Sequence, residues 1–390
     1  MQKDFHFYCI AVLARAAGFS RKDALVIAYC SQYVDDATEG DPITVQVNSQ
    51  MVRIDPVRTS YDYLKPNQGL ESLDWTAQKR VHIPFHFLPA RPLDPDHPGF
   101  PFSYVTAPNS VFAGVLLSNA VAEAHPLRRL CRIGIALHTF ADTWAHQGFS
   151  GLNEPGNDVE EIKVKDPFTK RWKKLLLENL IDDLFLIGIP DIGHADALYF
   201  PDVSFLEWKC EQGPAKMPGG GYNALRFLEA AQMIYERLRQ INAVHIVTSD
   251  PIPWRGRQVD FVPWDELERM IQEQLVAWPK VAPGLLSGIA NLRQILNPDQ
   301  RCQNWQEMFR DWFEPAPGGF PNRYAYDRLA FRQHALQGDV EWDERPSSQW
   351  QQQAPFQAAT SNLHDFWNTP WAQFHRGALL QRHAVLERLP

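Results

Sequence analysis

The segment Leu137-His-Thr-Phe-Ala-Asp-Thr-Trp-Ala-His-Gln-Gly-Phe-Ser150 constrains the chain more than any other. His138, Asp142 and His146 recur every four residues. At about 100° per residue each step turns the next side chain by roughly 40°, so all three stack along one helical face. Around them Ile133, Ile135, Leu137, Phe140, Trp144 and Phe149 are too apolar for a face washed by water. Gly134, Ala136, Ala141 and Ala145 are small and let other backbones come close. Imidazole and carboxylate groups on a buried helix need partners. A divalent metal, zinc first among them, meets that need: ligands one turn apart share an ion, and a third one turn further reaches a neighbouring ion.

Other candidate ligands lie far away in the chain. His6 sits in an apolar helix over residues 4–17 that ends at Gly18. Ser20 opens a second helix, with Asp23 placed as in a capping box. That helix ends at Asp35–Asp36, where carboxylates oppose the helix dipole and need another reason to be present. The proline-containing run Val81–Pro89 reads as extended, which aims His86 away from Phe85 and Phe87 and lets His82 point the same way. His194 lies in the irregular stretch 189–221 near Asp196 and Asp202. On the predicted last helix, 361–387, His364 and His375 share a face and His383 lies beyond; packing or surface roles suit them, although His364 could reach a site mouth.

Helical periodicity at 110–124, 127–147, 170–188, 222–242, 262–278, 283–296, 299–313, 323–336 and 361–387 predicts a mainly α protein. A small β-hairpin is expected from Ile43 to Ile54 around Asn48–Ser49. Thirty prolines imply short helices and long ordered loops. A soft boundary at 189–221 divides a metal-binding core, 1–210, from a helical C-terminal region, 211–390, packed on it.

The balance of 38 basic and 46 acidic residues, net −8, and the lack of a basic stripe argue against strong binding to duplex nucleic acid. Five scattered cysteines form no Cys-x-x-Cys pair and read as reduced thiols. With Asp4 and His6 where a basic leader segment would be, and no long apolar run, a cytoplasmic protein is expected.

The His-x-x-x-Asp-x-x-x-His helix resembles that of the zinc-dependent phospholipase C superfamily, which includes the single-strand-specific zinc nucleases. The phrases Asp-Phe-His-Phe, Ser-Gln-Tyr-Val-Asp-Asp and Phe-His-Phe-Leu-Pro resemble an uncharacterised bacterial family related to these enzymes. The likeness covers about residues 1–205. It implies a multi-helix bundle with one to three zinc ions that activate water to cleave a phosphodiester. It further implies His6, Asp36 (or Asp35), His86, His138, Asp142, His146 and His194 as ligands, with Asp36 as ligand and general base and Asp142 bridging two metals. In the secreted enzymes the N-terminal residue itself binds metal, a place Asp4 could take here, and their last helical His lies two residues further on. Substrates implied are a small phosphodiester, a phospholipid headgroup or a single-stranded nucleic acid. The rival expectation is a noncatalytic helical scaffold stapled by metal for interaction or toxicity.

Overall fold

Helices begin where side chains can cap them. Ser20 accepts from the amide of Asp23 (3.1 Å) to open α2, Arg21–Asp36, which follows a buried π-helical turn Asp4–Cys9 and helix α1, Ile10–Ala16. Ser110 accepts from Ala113 N (3.1 Å) at the start of α3, Val111–Val121, and His125 Nδ1 accepts from Arg128 N (3.2 Å) at α4, Pro126–Ala145. The computed structural model describes residues 1–61, 71–93, 102–159, 161–166, 169–174, 193–194, 197, 199–210, 221–245, 250–277, 297–338 and 355–390.

Helix α4 is the axis of the fold. From Ile133 through Ala145 every residue is buried, so water reaches no side of it. It packs against α2, against α3, against α5 (Asn223–His245) and against α10 (Pro370–Leu386). Three further helices, α6 (Trp264–Val276), α7 (Asp299–Phe313) and α8 (Arg328–Gln333), surround α1, α2 and α5, and the short α9 (Leu363–Trp367) precedes α10. One hydrophobic core takes in Phe5 and Leu13 together with Phe227, Trp305 and Phe374, so both stretches of the chain share it.

The protein is mainly α, with small sheets. The hairpin is present: β1 (Ile43–Val47) pairs antiparallel with β2 (Gln50–Ile54), and Asn48 takes the positive φ of 54° that the tight turn requires. The strand pair β3 (Lys163–Lys165) and β4 (Trp172–Lys174) is joined by β5 (Trp208–Lys209), so residues 172–174 are extended rather than helical. The remainder of the helix expected to 188, and the one at 283–296, lie outside the described residues. A two-stranded hairpin, β6 (Ile252–Trp254) with β7 (Arg257–Val259), follows α5, and β8 (Phe356–Gln357) runs parallel to β1. The expected single helix at 361–387 is two, because Thr369 caps a new start at Pro370.

Val81–Phe85 corrects the extended reading of that segment. Residues 75–85 coil as three short contiguous helical turns, the middle one a π-helix, and Pro84, which has no N–H to donate, follows directly on that widened turn. Among the described residues no helix is long and apolar enough to cross a membrane.

Two contacts fix α2. Gly134 brings α4 onto it so closely that an added Cβ would lie 2.3 Å from the carbonyl oxygen of Ile27. Just beyond α2, the buried Glu39 accepts from Tyr33 Oη (2.5 Å) and from Arg332 Nη2 (3.2 Å), and faces His375 Nε2 (3.4 Å). Since His375 Nδ1 accepts from Val57 N (3.0 Å), a neutral His375 carries its proton on Nε2, aimed at Glu39. Burial alone would raise the Glu39 carboxyl; Arg332, His375 and Tyr33 reverse this and hold it down at about 2.

Gly134→Ala is therefore expected to destabilise the protein by about 2–3 kcal/mol, since backbone must move, measured by urea unfolding. Glu39→Gln strands the buried Arg332 and should cost about 3 kcal/mol at neutral pH. Because the folded-state pKa is depressed, Glu39's contribution is full above its ordinary value of 4.5 and is lost as pH falls toward about 2. Wild type should lose stability across that window more steeply than Glu39→Gln.

Candidate metal centre

Asp142 lies at the middle of the site, 1% exposed, with both oxygens engaged. Oδ1 meets the amino group of Met1 (2.7 Å) and His6 Nε2 (3.1 Å); Oδ2 meets His138 Nε2 (3.2 Å) and His86 Nδ1 (3.4 Å). His6 is carried by the π-helical turn at the N-terminus, a widened coil that recurs at functional positions, and its ring stacks on His138 at 3.8 Å. Beyond His138, Asp35 Oδ1 stands 3.6 Å from His138 Nε2 and 3.9 Å from His86 Nδ1. On the other side Asp202 Oδ1 lies 3.0 Å from His146 Nε2, and its Oδ2 lies 3.2 Å from His194 Nε2. The amino group of Met1, 3.0 Å from Asp202 Oδ1, joins the two sides.

These residues form three groups whose donor atoms lie within 4.8 Å of one another: His6/Asp35/His138, His86/His138/Asp142 and His146/His194/Asp202. Backbone carbonyls help to set the rings. A carbonyl only accepts, so His86 Nε2 donates to Thr59 O (2.8 Å) and His146 Nδ1 donates to His86 O (2.8 Å). This leaves the other nitrogen of each ring for the cluster, as in metal-ligating histidines whose second nitrogen is held by a carbonyl.

The donor set fits a divalent cation. Burial keeps His146 below its ordinary pKa. Its neutral ring then presents a lone pair on Nε2 to an Asp202 oxygen at 3.0 Å and to His194 Nε2 at 3.2 Å. Facing acceptors at that distance repel unless positive charge lies among them. Burial lowers His6 to about 4 and His138 well below its usual value, and the Nδ1 atom of each is buried without a hydrogen-bond partner. Burial, with repulsion from Asp142 and Asp36, raises Asp35 to about 8 even though its side chain is 30% exposed. Burial would raise Asp142 too, but His146, the Met1 amine, His138 and His6 hold it well below the usual range. The Met1 amine rises to about 11 despite burial because Asp142, Asp202 and Asp35 surround it. The site attracts cations, and a metal would let all three carboxylates ionise together.

Of the residues proposed from sequence, His6, His86, His138, Asp142, His146 and His194 converge here. Asp36 does not join these groups: it accepts from Tyr326 Oη (2.7 Å) and Gln32 Nε2 (3.2 Å), and Asp35 stands in its place. Asp35 continues the Ile27–Ser31 row of α2 that faces α4, and one residue on the helix has turned by about 100°. Asp4 is neutralised by Arg301 Nε at 2.7 Å, and the Met1 amine occupies the position considered for it. His82 is buried against Tyr61 instead of the cluster, lowered to about 3 by burial. Asp202 is the carboxylate partner of His194, and Asp196 lies outside the described residues. His364 is exposed and paired with Asn368. Thr59 O carries no motif and no signal in the sequence, and the Met1 amine is signalled only by the resemblance to enzymes whose N-terminal residue binds metal.

Residues 1–389 match the family of unknown function DUF6765. No curated protein and no solved structure matches the chain.

His138 belongs to two of the three groups and His194 to one. Zinc at about 100 times its dissociation constant should stabilise the wild type by about 2.7 kcal/mol. His138→Ala is expected to lose more of that gain, and more bound zinc, than His194→Ala, as read by thermal melts and elemental analysis.

Proposed function

The chain belongs to the family DUF6765, and we propose that it is a zinc-dependent hydrolase of phosphodiesters with a fold like that of the zinc phospholipase C and nuclease enzymes. The observation that carries this reading is the donor count. Each group offers three protein ligands, the number that catalytic zinc sites provide while keeping a fourth position for water or substrate. Zinc held there supplies a Lewis acid that lowers the pKa of water toward about 7 and offsets charge on phosphoryl oxygens.

The protein's residues divide the remaining work. Asp142, with both oxygens in the cluster and almost no exposure, is suited to bridge two ions and offset their repulsion. His6 and His138 hold one side, and His146, His194 and Asp202 hold the other. Of the three carboxylates Asp35 is the most exposed, at 30% against 12% for Asp202 and 1% for Asp142. It is therefore placed to orient an incoming water and accept its proton. Substrates of this kind are small phosphodiesters, lipid headgroups or single strands. A metal-stapled scaffold is the competing reading, and it requires a fourth protein ligand closing each shell.

Paired zinc analysis and hydrolysis of bis(p-nitrophenyl) phosphate test the proposal. Asp142→Asn is expected to lose zinc and activity together. Asp35→Asn should lower turnover at least about 100-fold while keeping zinc in the His146 group. Asp36→Asn should match wild type in both. A folded, zinc-loaded wild type inert toward phosphodiester, phospholipid and single-strand substrates would sink the enzyme reading in favour of the scaffold.

A further inference from the structure

Thr59 is fully buried, lies outside every motif, and makes three hydrogen bonds in three directions. Its amide donates to Ala37 O (2.9 Å), the residue that ends α2. Its hydroxyl donates to Val34 O (2.7 Å), one of the last-turn carbonyls that a helix leaves without an internal partner. Its own carbonyl accepts from His86 Nε2 (2.8 Å). The first two bonds pin the helical turn that carries Asp35. The third fixes the ring of His86, whose Nδ1 stands 3.9 Å from Asp35 Oδ1 and 3.2 Å from His138 Nε2. The effect continues, because the carbonyl of His86 accepts from His146 Nδ1 (2.8 Å).

We propose that Thr59 is a positioning residue for the whole centre: one side chain and its carbonyl clamp Asp35 and His86 together and hold the tautomer that presents His86 Nδ1 to the cluster. This deepens the metal-centre reading and rests on it. Beyond Thr59, the His86 ring meets His138 and Asp142 of the cluster through Nδ1, and Asp35 is held by Gln32 at 3.4 Å, a distance at the limit of a hydrogen bond. Partners of this type, one bond removed from the ligands, typically change metal affinity 10- to 100-fold when removed.

Thr59→Val keeps the shape and deletes only the hydroxyl, leaving Val34 O unpartnered; Thr59→Ser keeps the hydroxyl and deletes only the methyl. The full-length protein is examined in two ways. Competition with a chromophoric chelator gives zinc affinity. Imidazole nitrogen NMR on histidine-labelled, metal-free protein at alkaline pH, where the His86 ring is neutral, with its signals assigned by substitution, reports which ring nitrogen carries the proton. Wild type is expected to hold His86 as the Nε2–H form. Thr59→Val should bind zinc about 10-fold more weakly and mix the two tautomers, with Thr59→Ser restoring both properties to within about threefold. Wild-type zinc affinity and an unmixed tautomer in a folded Thr59→Val would overturn the inference. So would a Thr59→Ser variant as defective as Thr59→Val, since the methyl would then be what matters. Should Thr59→Val fail to fold, Thr59→Ser still decides through the same two readouts, alongside Thr59→Cys, whose thiol is a weak donor expected to fall between them. A wild type that takes up no zinc refutes the metal reading alone, because the tautomer pattern tests the clamp without any metal.

Discussion

A carboxylate taken wholly out of water is the constraint around which the fold is arranged. Asp142 lies on a helix buried on every side, where an uncompensated charge would be untenable. Its nearest contacts come from Met1, His6, His86 and His138, so satisfying one side chain draws the N-terminal turn, the 75–86 segment and α4 to a single point. The second buried charge pair, Glu39 with Arg332, ties the end of α2 to α8 and, through His375, to α10. One charge cluster gathers three carboxylates among histidines. The other is closed by its own arginine and explains why two of the protein's buried histidine–carboxylate assemblies have different characters.

What could be read from the residues was set by periodicity and capping. The face carrying His138, Asp142 and His146 follows from helical spacing alone, and Ser20, Ser110 and the hairpin at Asn48 announce their elements locally. Errors arose where a choice depended on a partner distant in the chain. Asp35 and Asp36 differ only in which one continues the row touching α4, and that row is defined by the Gly134 crossing. Val81–Phe85 has a proline that suggests an extended segment, yet Pro84 follows directly on a π-helical turn. Asp4 resembles a ligand until Arg301, nearly three hundred residues away, is seen to neutralise it. Thr59 makes two of its three hydrogen bonds through its backbone, which no residue type advertises.

The three donor groups are also unequal in what surrounds them. In the pair of groups sharing His138 the most exposed member is Asp35, whereas the His146 group leans on Phe87, whose ring stacks on His146 at 4.5 Å and sits beside His194. An aromatic wall excludes water and strengthens electrostatic interactions within it. The carbonyl of His86 bonded to His146 makes the boundary between the two surroundings a single residue thick.

Assembly of the centre from such separated pieces has a kinetic side. The clustered side chains run from His6 to Asp202, and the ion pair of Asp4 with Arg301 at the N-terminal turn joins positions still further apart. Contacts of that span must close long loops before they return any stabilisation, which places them late in folding. During synthesis the N-terminal turn leaves the ribosome long before Arg301 exists, so Asp4 waits without its compensating charge for the rest of the chain. Were a cation bound by the proposed groups in that interval, it would stabilise the half-built core and tie the yield of folded protein to metal supply.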